Sequence, residues 1–328
     1  SQRPRSRDAG APETVGVVAV GVVAVGVEAG EAVDAAPVRV SSGAVTLAPG
    51  TTLHHVELGV VDLERSLGFW TGLLGLSPAA GAPATAEEAW LDAGGGLVHL
   101  VRRPRPEPAG WQVVNHQSGL RHVGFTVADV DAWAQRVAAA GVPFAIAPMT
   151  ALGDVRIVFF SDPDGALVEL VAGRLVHTTT WNAELVSERD ATAAPGEALV
   201  LDHAALTTAD LDRALATYRD DLALPALGQV PHPGDERGYV RSYLAAGHGT
   251  LELFSYDVEP LPAPADDPGR TGLRAIGLAT GDPELAERRL RARGARSSAL
   301  GGPGRRLVDA DGTALVLVPT GSTPGASG

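Results

Sequence analysis

One pattern occurs four times along the chain: a strand-like stretch, then a helix, then two or three further strand-like stretches. The four leading stretches cover residues 53–60, 120–127, 201–206 and 273–278. A unit that recurs at this length buries its apolar face by pairing with a neighbouring copy. The sequence therefore predicts an α+β fold in which consecutive units pair, with two units in each domain.

Shifts in composition predict the domain boundaries. An Ala/Pro/Gly-rich passage over 190–198 is the predicted linker, which leaves one domain over 51–189 and a second over 199–320. Residues 1–50 are predicted to be a low-complexity extension and residues 321–328 a tail. The apolar run in the extension covers only roughly 13 residues, whereas a membrane helix needs about 20. No membrane span and no catalytic role are expected there.

Charge and composition exclude several classes of partner. The formal net charge of −13 argues against binding to nucleic acid or to an anionic membrane surface, because both require a basic patch. The chain has no cysteine, so a metal site has to use histidine, aspartate or glutamate. The lack of cysteine also fits a cytoplasmic protein, which is the expected location.

Histidines mark the leading strands of the first two units. Alternate side chains of a strand share a face, so His55 lies with Glu57 and His122 lies with Gly124, while the opposite faces are apolar. Glu169 lies in the apolar closing stretch of the second unit. Burial of a lone carboxylate there would cost several kcal/mol unless a cation compensates, and a metal ion is the simplest such cation.

Three stretches resemble a known superfamily. HHVELGVVDLERSLGFWTGLLGL is similar to the opening of the vicinal oxygen chelate superfamily, which includes glyoxalase I, bleomycin-resistance proteins, methylmalonyl-CoA epimerase and extradiol dioxygenases. LRHVGFTVADVDAW and FFSDPDGALVELV resemble the second module of the same family. The resemblance covers about residues 51–320. It implies four βαβββ modules paired into two open barrel-like domains, with a divalent metal held inside by residues of the first and last strands.

By this resemblance, the metal ligands are His55 and His122 on the leading strands of the first two modules, together with Glu169 on the closing strand of the second. Two histidines and one carboxylate form the facial triad of non-haem Fe(II) enzymes. Fe(II) is therefore the expected metal, although Mn, Zn or Ni could use the same ligands.

The second half keeps only part of this ligand set. His203 and Glu252 occupy two ligand positions, but the other two positions hold Ala275 and Val316. Two ligands by themselves would hold a divalent ion weakly. The second domain is therefore expected to be a structural partner without a metal.

The residue at the remaining position of the first half distinguishes between reactions. His99 stands where glyoxalases usually carry a glutamate and epimerases a glutamine; in extradiol dioxygenases the comparable histidine is an acid/base that does not bind metal. An imidazole with a pKa of about 6.5 suits the transfer of a catechol proton. His99 could also be a fourth ligand or a strand histidine without a chemical role. His116 and Phe160 are the expected substrate contacts, although the dioxygenases usually present a tyrosine near Phe160.

These observations predict a metal-dependent extradiol-type dioxygenase that acts on a catechol-like small molecule. A glyoxalase-type lyase or isomerase with the same metal site is the first alternative. A small-molecule binding protein of the antibiotic-sequestering kind is the second, with an aromatic ligand in the groove between modules. The sequence leaves the substrate, the native metal and the oligomeric state open, a homodimer among the options.

Overall fold

The structure is a computed structural model that describes residues 50–323 except 84, 104, 108–109, 111–115, 192–195, 197 and 300–303. The predicted extension over 1–50, the linker over 190–198 and the tail over 321–328 lie largely outside the described residues. The predicted α+β class is confirmed, because two mixed β-sheets are accompanied by short helices.

The strands define the four units in chain order. Unit 1 contains β1 (Thr52–Val60), β2 (Ser77–Pro78), β3 (Glu88–Asp92) and β4 (Leu97–Arg102); unit 2 contains β5 (Gly119–Thr126), β6 (Phe144–Leu152), β7 (Val155–Ser161) and β8 (Leu167–Ala172). After the short β9 (Thr179–Thr180), unit 3 contains β10 (Val200–Thr207), β11 (Ala226–Pro231), β12 (Val240–Ala246) and β13 (Gly249–Ser255). Unit 4 contains β14 (Gly272–Thr280), β15 (Arg296–Ser297), β16 (Arg305–Val308) and β17 (Ala314–Pro319).

Each unit has one helix after its leading strand. These helices are α1 (Leu63–Leu67), α2 (Val130–Ala139), α4 (Leu211–Leu215) and α5 (Pro283–Ala292); α1 and α4 continue as a π-helical turn over Gly68–Leu73 and Ala216–Asp221. A further helix, α3 (Ala183–Asp190), lies between units 2 and 3. Each unit helix begins after an aspartate whose carboxylate accepts a backbone hydrogen bond from the first turn, as its N-capping preference predicts. No helix in the described part of the chain is long and apolar enough to cross a membrane.

The two sheets pair units that are not the expected neighbours. The first sheet has the order β15-β16-β17-β14-β1-β4-β3-β2, and the second has the order β6-β7-β8-β5-β10-β13-β12-β11-β9. Strand β1 is antiparallel to β14, and β5 is antiparallel to β10. Unit 1 therefore pairs with unit 4 and unit 2 with unit 3, whereas the sequence analysis expects unit 1 to pair with unit 2. Four similar units specify that pairing occurs, but their shared pattern does not specify the partner.

Units that follow one another in the chain meet through their helices instead. Phe69 and Trp70, in the π-helical turn of unit 1, contact Phe160 and Phe125 of unit 2, with ring centroids 6.2 and 5.8 Å apart respectively. All four side chains belong to one main core that contains residues of every unit. The core therefore ties the two sheets together.

Buried aspartates form hydrogen bonds between unit 1 and unit 2, and likewise between unit 3 and unit 4. Asp164, in the turn before β8, accepts hydrogen bonds from the backbone N–H of Val61 and from the side chains of Arg65 and Ser66 in unit 1. Asp311, in the corresponding turn of unit 4, accepts hydrogen bonds from Thr208 and its neighbours in unit 3. The contact between consecutive units is thus repeated in the two halves of the chain.

Alternation along β5 separates the core face from the site face. Val123 and Phe125 are fully buried in the main core. His122 and Gly124 therefore lie on the opposite face of the second sheet, where the candidate site is found.

Candidate metal centre

Four ligand-type side chains meet on the site face of the second sheet. His122 comes from β5 and Glu169 from β8 of unit 2, while His203 comes from β10 and Glu252 from β13 of unit 3. The pairing of β5 with β10 places the two leading strands side by side, and β8 and β13 flank them as parallel neighbours. The site therefore exists because unit 2 pairs with unit 3.

The donor atoms of these residues lie close together. The Nε2 atoms of His122 and His203 are 3.0 Å apart. Glu169 Oε2 lies 2.9 Å from His122 Nε2 and 3.0 Å from His203 Nε2, whereas Glu252 Oε2 lies 4.0 and 3.9 Å from the same two atoms. All four residues are buried. Glu169 thus belongs to the tight part of the group and Glu252 to its looser side.

Small residues leave room for both imidazoles. A Cβ atom added at Gly124 would lie 2.0 Å from Cε1 of His203, so the imidazole of His203 packs directly on this glycine. Ala205 is the cross-strand partner of His122, and its methyl group leaves space for that larger side chain. The sheet is therefore shaped locally to bring two histidines together.

Asp202 orients His203. Its Oδ2 lies 2.7 Å from His203 Nδ1, and its Oδ1 accepts a hydrogen bond of 2.8 Å from Thr126 Oγ1. Because the Asp202 carboxylate accepts a hydrogen bond from Nδ1–H of His203, Nε2 of the same ring is directed towards the other donors. Carboxylate–histidine pairs of this kind fix the tautomer and raise the basicity of metal-ligating histidines.

The charges of the group are coupled. Burial by itself would raise the pKa of Glu169, but its hydrogen bonds with His122 and His203 outweigh this effect and hold the pKa far below the usual range. Burial lowers the pKa of His122 more than Glu169 raises it. For His203, burial is outweighed by the negative charge of Glu252 and by the contacts with Asp202 and Glu169, so its pKa is raised well above the ordinary value.

The donor set fits a divalent cation. Two imidazoles and two carboxylates are ligands for Zn, Mn, Fe or Ni. The donor atoms of His122, His203 and Glu169 lie 2.9 to 3.0 Å from one another, close enough for one ion to contact all three. A divalent charge would also offset the two buried carboxylates. His122, Glu169, His203 and Glu252 are therefore the residues that would hold the ion.

Aromatic side chains surround the donor group. The ring of Phe159 lies 5.1 Å from the ring of His122 and perpendicular to it, and the ring of Phe254 lies 5.8 Å away. Tyr243 is the direct cross-strand partner of Glu252, so both side chains lie on the site face. The hydroxyl of Tyr243 is buried and has no hydrogen-bond partner among the described residues.

Further aromatic rings and arginines lie next to Phe254. Tyr239 contacts Phe254 edge-on at 5.4 Å and stacks on Tyr256 at 4.9 Å. The guanidinium of Arg237 lies over the ring of Tyr256, 5.2 Å from its centroid. Burial lowers the pKa of Arg121, on the bulge beside His122, to about 10. This side of the site therefore combines flat aromatic surface with positive charge.

The corresponding place in the first sheet has a different composition. His55 and His99 of unit 1 occupy the positions of His203 and Glu252, but Ala275 and Val316 of unit 4 stand where the second sheet has its other two ligands. Glu57, the cross-strand partner of Ala275, fills part of the space. His55, Glu57 and His99 form a compact buried group, and Arg274 and Arg306 lie next to Glu57.

The structure separates the residues that the sequence analysis placed together. His122 and Glu169 are in contact, but His55 lies on the first sheet and not with them. His99 also lies on the first sheet, where its Nε2 is 2.8 Å from Glu88 Oε2 and its ring stacks on Trp90 at 3.7 Å. The reason is the sheet order, because pairing of unit 1 with unit 4 removes both histidines from the site.

The two expected substrate contacts also have different positions. Phe160 is fully buried in the main core against Phe69, because alternation along β7 turns its neighbour Phe159 towards His122 instead. His116 precedes β5 at the rim of the site, where its Nδ1 lies 3.3 Å from a guanidinium nitrogen of Arg237. His116 thus stays a candidate for contact with substrate, whereas Phe160 supports the fold.

A metal role for His203 and Glu252 is not among the predictions from the sequence. A signal was present, since 47 residues separate His122 from Glu169 and 49 separate His203 from Glu252. Each of these units thus carries one histidine on its leading strand and one glutamate on its closing strand. If units from different halves of the chain are allowed to pair, these two histidine–glutamate pairs indicate that units 2 and 3 are partners.

Comparison with known proteins gives a family match in both halves of the chain. Residues 52–170 and 200–310 match the family described as the Glyoxalase/Bleomycin resistance protein/Dioxygenase superfamily. The crystal structure of glyoxalase I from Zea mays is similar with a TM-score of 0.61 and 21% identity, covering 82% of this chain and 92% of that one. At this identity the likeness shows the fold alone.

Two curated proteins are similar over shorter stretches. The chain is 29% identical over 182 residues to the anthracycline biosynthesis protein DauV of Streptomyces sp. (strain C5). This match covers 51% of this chain. The chain spans only 59% of the length of DauV. It is 32% identical over 130 residues to the glutathione transferase FosA of Serratia marcescens, covering 38% of this chain and 82% of FosA.

Proposed function

Because the chain belongs to the glyoxalase/bleomycin resistance protein/dioxygenase superfamily, we propose that it is a metal-dependent enzyme that acts on a small molecule at the centre formed by units 2 and 3. The proposed reaction is proton transfer on an oxygen-bearing substrate, as in the lyases and isomerases of this superfamily. The observation that carries the proposal is the buried pair His122 and His203, with Glu169 Oε2 within 3.0 Å of both Nε2 atoms and Glu252 grouped with the same two histidines.

The two carboxylates, Glu169 and Glu252, are suited to different roles. A divalent ion bound there would polarise a substrate oxygen as a Lewis acid. Glu169 contacts both histidines at about 3 Å and is suited to holding the ion. Glu252 lies about 1 Å farther from both Nε2 atoms, so its carboxylate is the better placed to accept a proton from a substrate carbon and return it.

Tyr243 is suited to orienting the substrate. Its hydroxyl lies on the site face, is buried and has no hydrogen-bond partner among the described residues. Burial is the main cause of a raised pKa for this phenol, so it stays protonated and can donate a hydrogen bond. A donor fixed next to Glu252 would stabilise negative charge that develops on a substrate oxygen.

The surroundings favour a substrate with an aromatic body and a negative charge. Phe159, Phe254 and Tyr239 offer ring surfaces for stacking. Arg241 and Arg121 supply positive charge next to these rings. The relative DauV is named for anthracycline biosynthesis, so anionic polycyclic phenols and quinones are the first class of compound to assay.

Extradiol cleavage of a catechol is a second candidate. His122, His203 and Glu169 contain the two histidines and one carboxylate of the Fe(II) facial triad, which favours it. His99, on which the expected proton transfer depended, lies on the other sheet. The presence of Glu252 as a second buried carboxylate, placed to accept a proton, makes proton transfer the better supported reaction.

The dependence on oxygen separates the two candidates. The protein would be loaded anaerobically with Fe(II), Mn, Zn or Ni and mixed with hydroxyquinones or catechols. Turnover of a hydroxyquinone without oxygen, abolished by chelator and by Glu252→Gln, is the expected result. Oxygen uptake with a yellow ring-cleavage product would establish the dioxygenase instead. Tight ligand binding without turnover, unchanged by chelator, would contradict both.

A matched control comes from the first sheet. His99→Ala removes the residue that the sequence analysis expects to act as acid/base. Because His99 is outside the proposed centre, activity should remain within a few-fold of that of the unchanged protein. Loss of activity in His99→Ala with normal metal content at the second sheet would contradict the assignment of the centre.

A further inference from the structure

The place in the first sheet that corresponds to the metal centre is rich in arginine. Arg306 donates a hydrogen bond of 2.6 Å to Glu57 Oε2, and Nη1 of Arg274 lies 3.3 Å from Glu57 Oε1. Arg103 and Arg270 are near enough to lower the pKa of Arg274 further, although burial is the main cause of its fall to about 10. We call Arg103, Arg270, Arg274 and Arg306 the arginine cluster.

The charges of this cluster are not balanced within the group. Glu57 is fully buried and shared by Arg274 and Arg306. Glu88, at the edge of the same site, is paired with His99 instead. Among the described residues, Arg274 and Arg306 thus share one buried carboxylate, while Asp266 and Asp267 lie near Arg270. Buried charge without a counter-charge is costly, so a structure of this kind favours an additional anion.

Arg274 is the residue with unused hydrogen-bonding capacity. Its side chain is 0% exposed, and Nε, Nη1 and Nη2 all lack a hydrogen-bond partner among the described residues. The contact with Glu57 is an ion pair without hydrogen-bond geometry. The buried Nε2 of His55 also has no partner there. Unpaired donors of this kind are what a carboxylate or phosphate oxygen would satisfy.

The backbone is arranged to bring Arg274 to this place. The ladder between β1 and β14 shifts by one residue, so that Glu57 faces Ala275 while Leu58 faces Leu273, and Arg274 is the extra residue of the bulge. Gly59 leaves room for the side chain, since an added Cβ would lie 2.6 Å from Arg274 Cδ. The position of the guanidinium is therefore built into the strand.

Small apolar residues lie where the second sheet has ligands. Ala275, Ala314 and Val316 form a small cluster with Val308. Arg306 is the cross-strand partner of Val316, whereas Phe159 is the partner of Glu169 in the second sheet. Two ligand-type side chains are thus absent from this place and an arginine is present, which favours an anion over a cation.

We propose that Arg274, Arg306 and His55, on the site face between units 1 and 4, bind a small oxyanion: a free phosphate or carboxylate, or such a group on a larger molecule. The site is distinct from the metal centre and does not depend on the function proposed for it. His55, Glu57 and His99 would form a cation site by residue type, but two guanidinium groups on Glu57 oppose a divalent ion there.

Titration of the full chain with inorganic phosphate and, separately, with acetate tests this proposal. Isothermal calorimetry should show one phosphate or one acetate per chain, and the stronger of the two identifies the oxyanion class. His122→Ala should leave this binding unchanged, because it removes only the metal centre. Arg274→Gln should weaken it by about 10- to 100-fold, the usual range for hydrogen bonds to a charged group. Absence of binding by both anions, or equal binding by Arg274→Gln, would overturn the proposal.

A second variant keeps the test decisive if Arg274→Gln does not fold. Val316→Glu places a carboxylate opposite Arg306 and supplies the missing anion within the chain. This variant should unfold at a higher temperature and should no longer bind phosphate or acetate. Two bound metal ions per chain, with one lost in His55→Ala, would show a cation site and contradict the proposal.

Discussion

The Nε2 atoms of His122 and His203 lie 3.0 Å apart, although 81 residues separate the two histidines in the chain. They belong to the leading strands of units 2 and 3, which pair antiparallel in the second sheet. His55, on the leading strand of unit 1, instead lies over Gly277 of unit 4. The same local pattern thus builds a complete donor set at one pairing and an arginine-rich site at the other.

Removal of either histidine should greatly weaken metal binding. His122→Ala and His203→Ala each delete one donor, and we expect the affinity for Zn or Mn to fall by more than about 100-fold. Mutation of a residue that only hydrogen-bonds a metal ligand already lowers metal affinity by about 10- to 100-fold. His55→Ala should retain the metal at the centre. Metal analysis after dialysis, with calorimetric titration, checks the three variants. Loss of metal in His55→Ala alone would contradict the assignment.

Paired glycine substitutions should separate the two sites. Gly124→Ala puts a methyl group 2.0 Å from Cε1 of His203, and Gly277→Ala puts one 1.9 Å from Nδ1 of His55. Both should destabilise the fold, since each displaces an imidazole. Only Gly124→Ala should lower metal affinity. Equal metal affinity in the two variants, measured by titration of folded protein, would be inconsistent with this site.

Asp202 should act on the metal through His203. Asp202→Asn keeps the shape of the side chain but removes the carboxylate that accepts from His203 Nδ1 at 2.7 Å. Metal affinity is expected to fall about 10- to 100-fold. Thr126→Val removes only the hydrogen bond to Asp202 and should have a smaller effect. If Thr126→Val lowered metal affinity as much as Asp202→Asn, the assignment of Asp202 as the residue that acts through His203 would be contradicted.

Tyr243→Phe should affect turnover more than binding of metal. The substitution removes a buried hydroxyl that has no hydrogen-bond partner among the described residues, so the fold should keep its stability. If the hydroxyl stabilises charge on the substrate, kcat should fall by about 100-fold or more, as for other donors of this kind. Steady-state kinetics with an active hydroxyquinone and metal analysis together check the result. Unchanged kcat would remove Tyr243 from the mechanism.

Asp162 should make the fold less stable as the pH rises. Burial raises the pKa of this carboxyl to about 7, against 3.8 for an ordinary aspartate, despite its backbone hydrogen bonds. The folded state therefore binds more protons than the unfolded state between these values, and stability falls as the pH rises through that window. Relative to Asp162→Asn, the unchanged protein should lose on the order of 4 kcal/mol between pH 4 and 8.

Denaturant unfolding of both proteins across this pH range provides the measurement. The difference between the two curves isolates Asp162, because the other titrating groups are shared. Asparagine is a suitable reference at this position, since its amide oxygen can also accept the hydrogen bonds from the backbone N–H groups of Asp164 and Ala166. A difference that does not change with pH would show that Asp162 titrates normally.

Much of the local structure was determined by the sequence alone. The aspartates before each helix predict where the helices begin, because their carboxylates satisfy free N–H groups of the first turn. Alternation on β5 predicts that His122 lies opposite the apolar face, because successive side chains of a strand point to opposite sides. The charge on Glu169, on an otherwise apolar strand, predicts a compensating partner within the barrel.

Only the tertiary structure decided which units share a site. The four leading strands carry the same pattern, so each could pair with any other at similar local cost. The contacts that select the partners join residues far apart in the chain, such as Ala205 with His122 and Glu57 with Ala275. The strand pattern that the four units share does not select among such contacts; the histidine and glutamate that units 2 and 3 each carry are compatible with their pairing but do not fix the strand order. For this reason the sequence determined the ligand types on each strand, and the pairing of units 2 and 3 decided that His203 and Glu252, in place of His55, complete the centre.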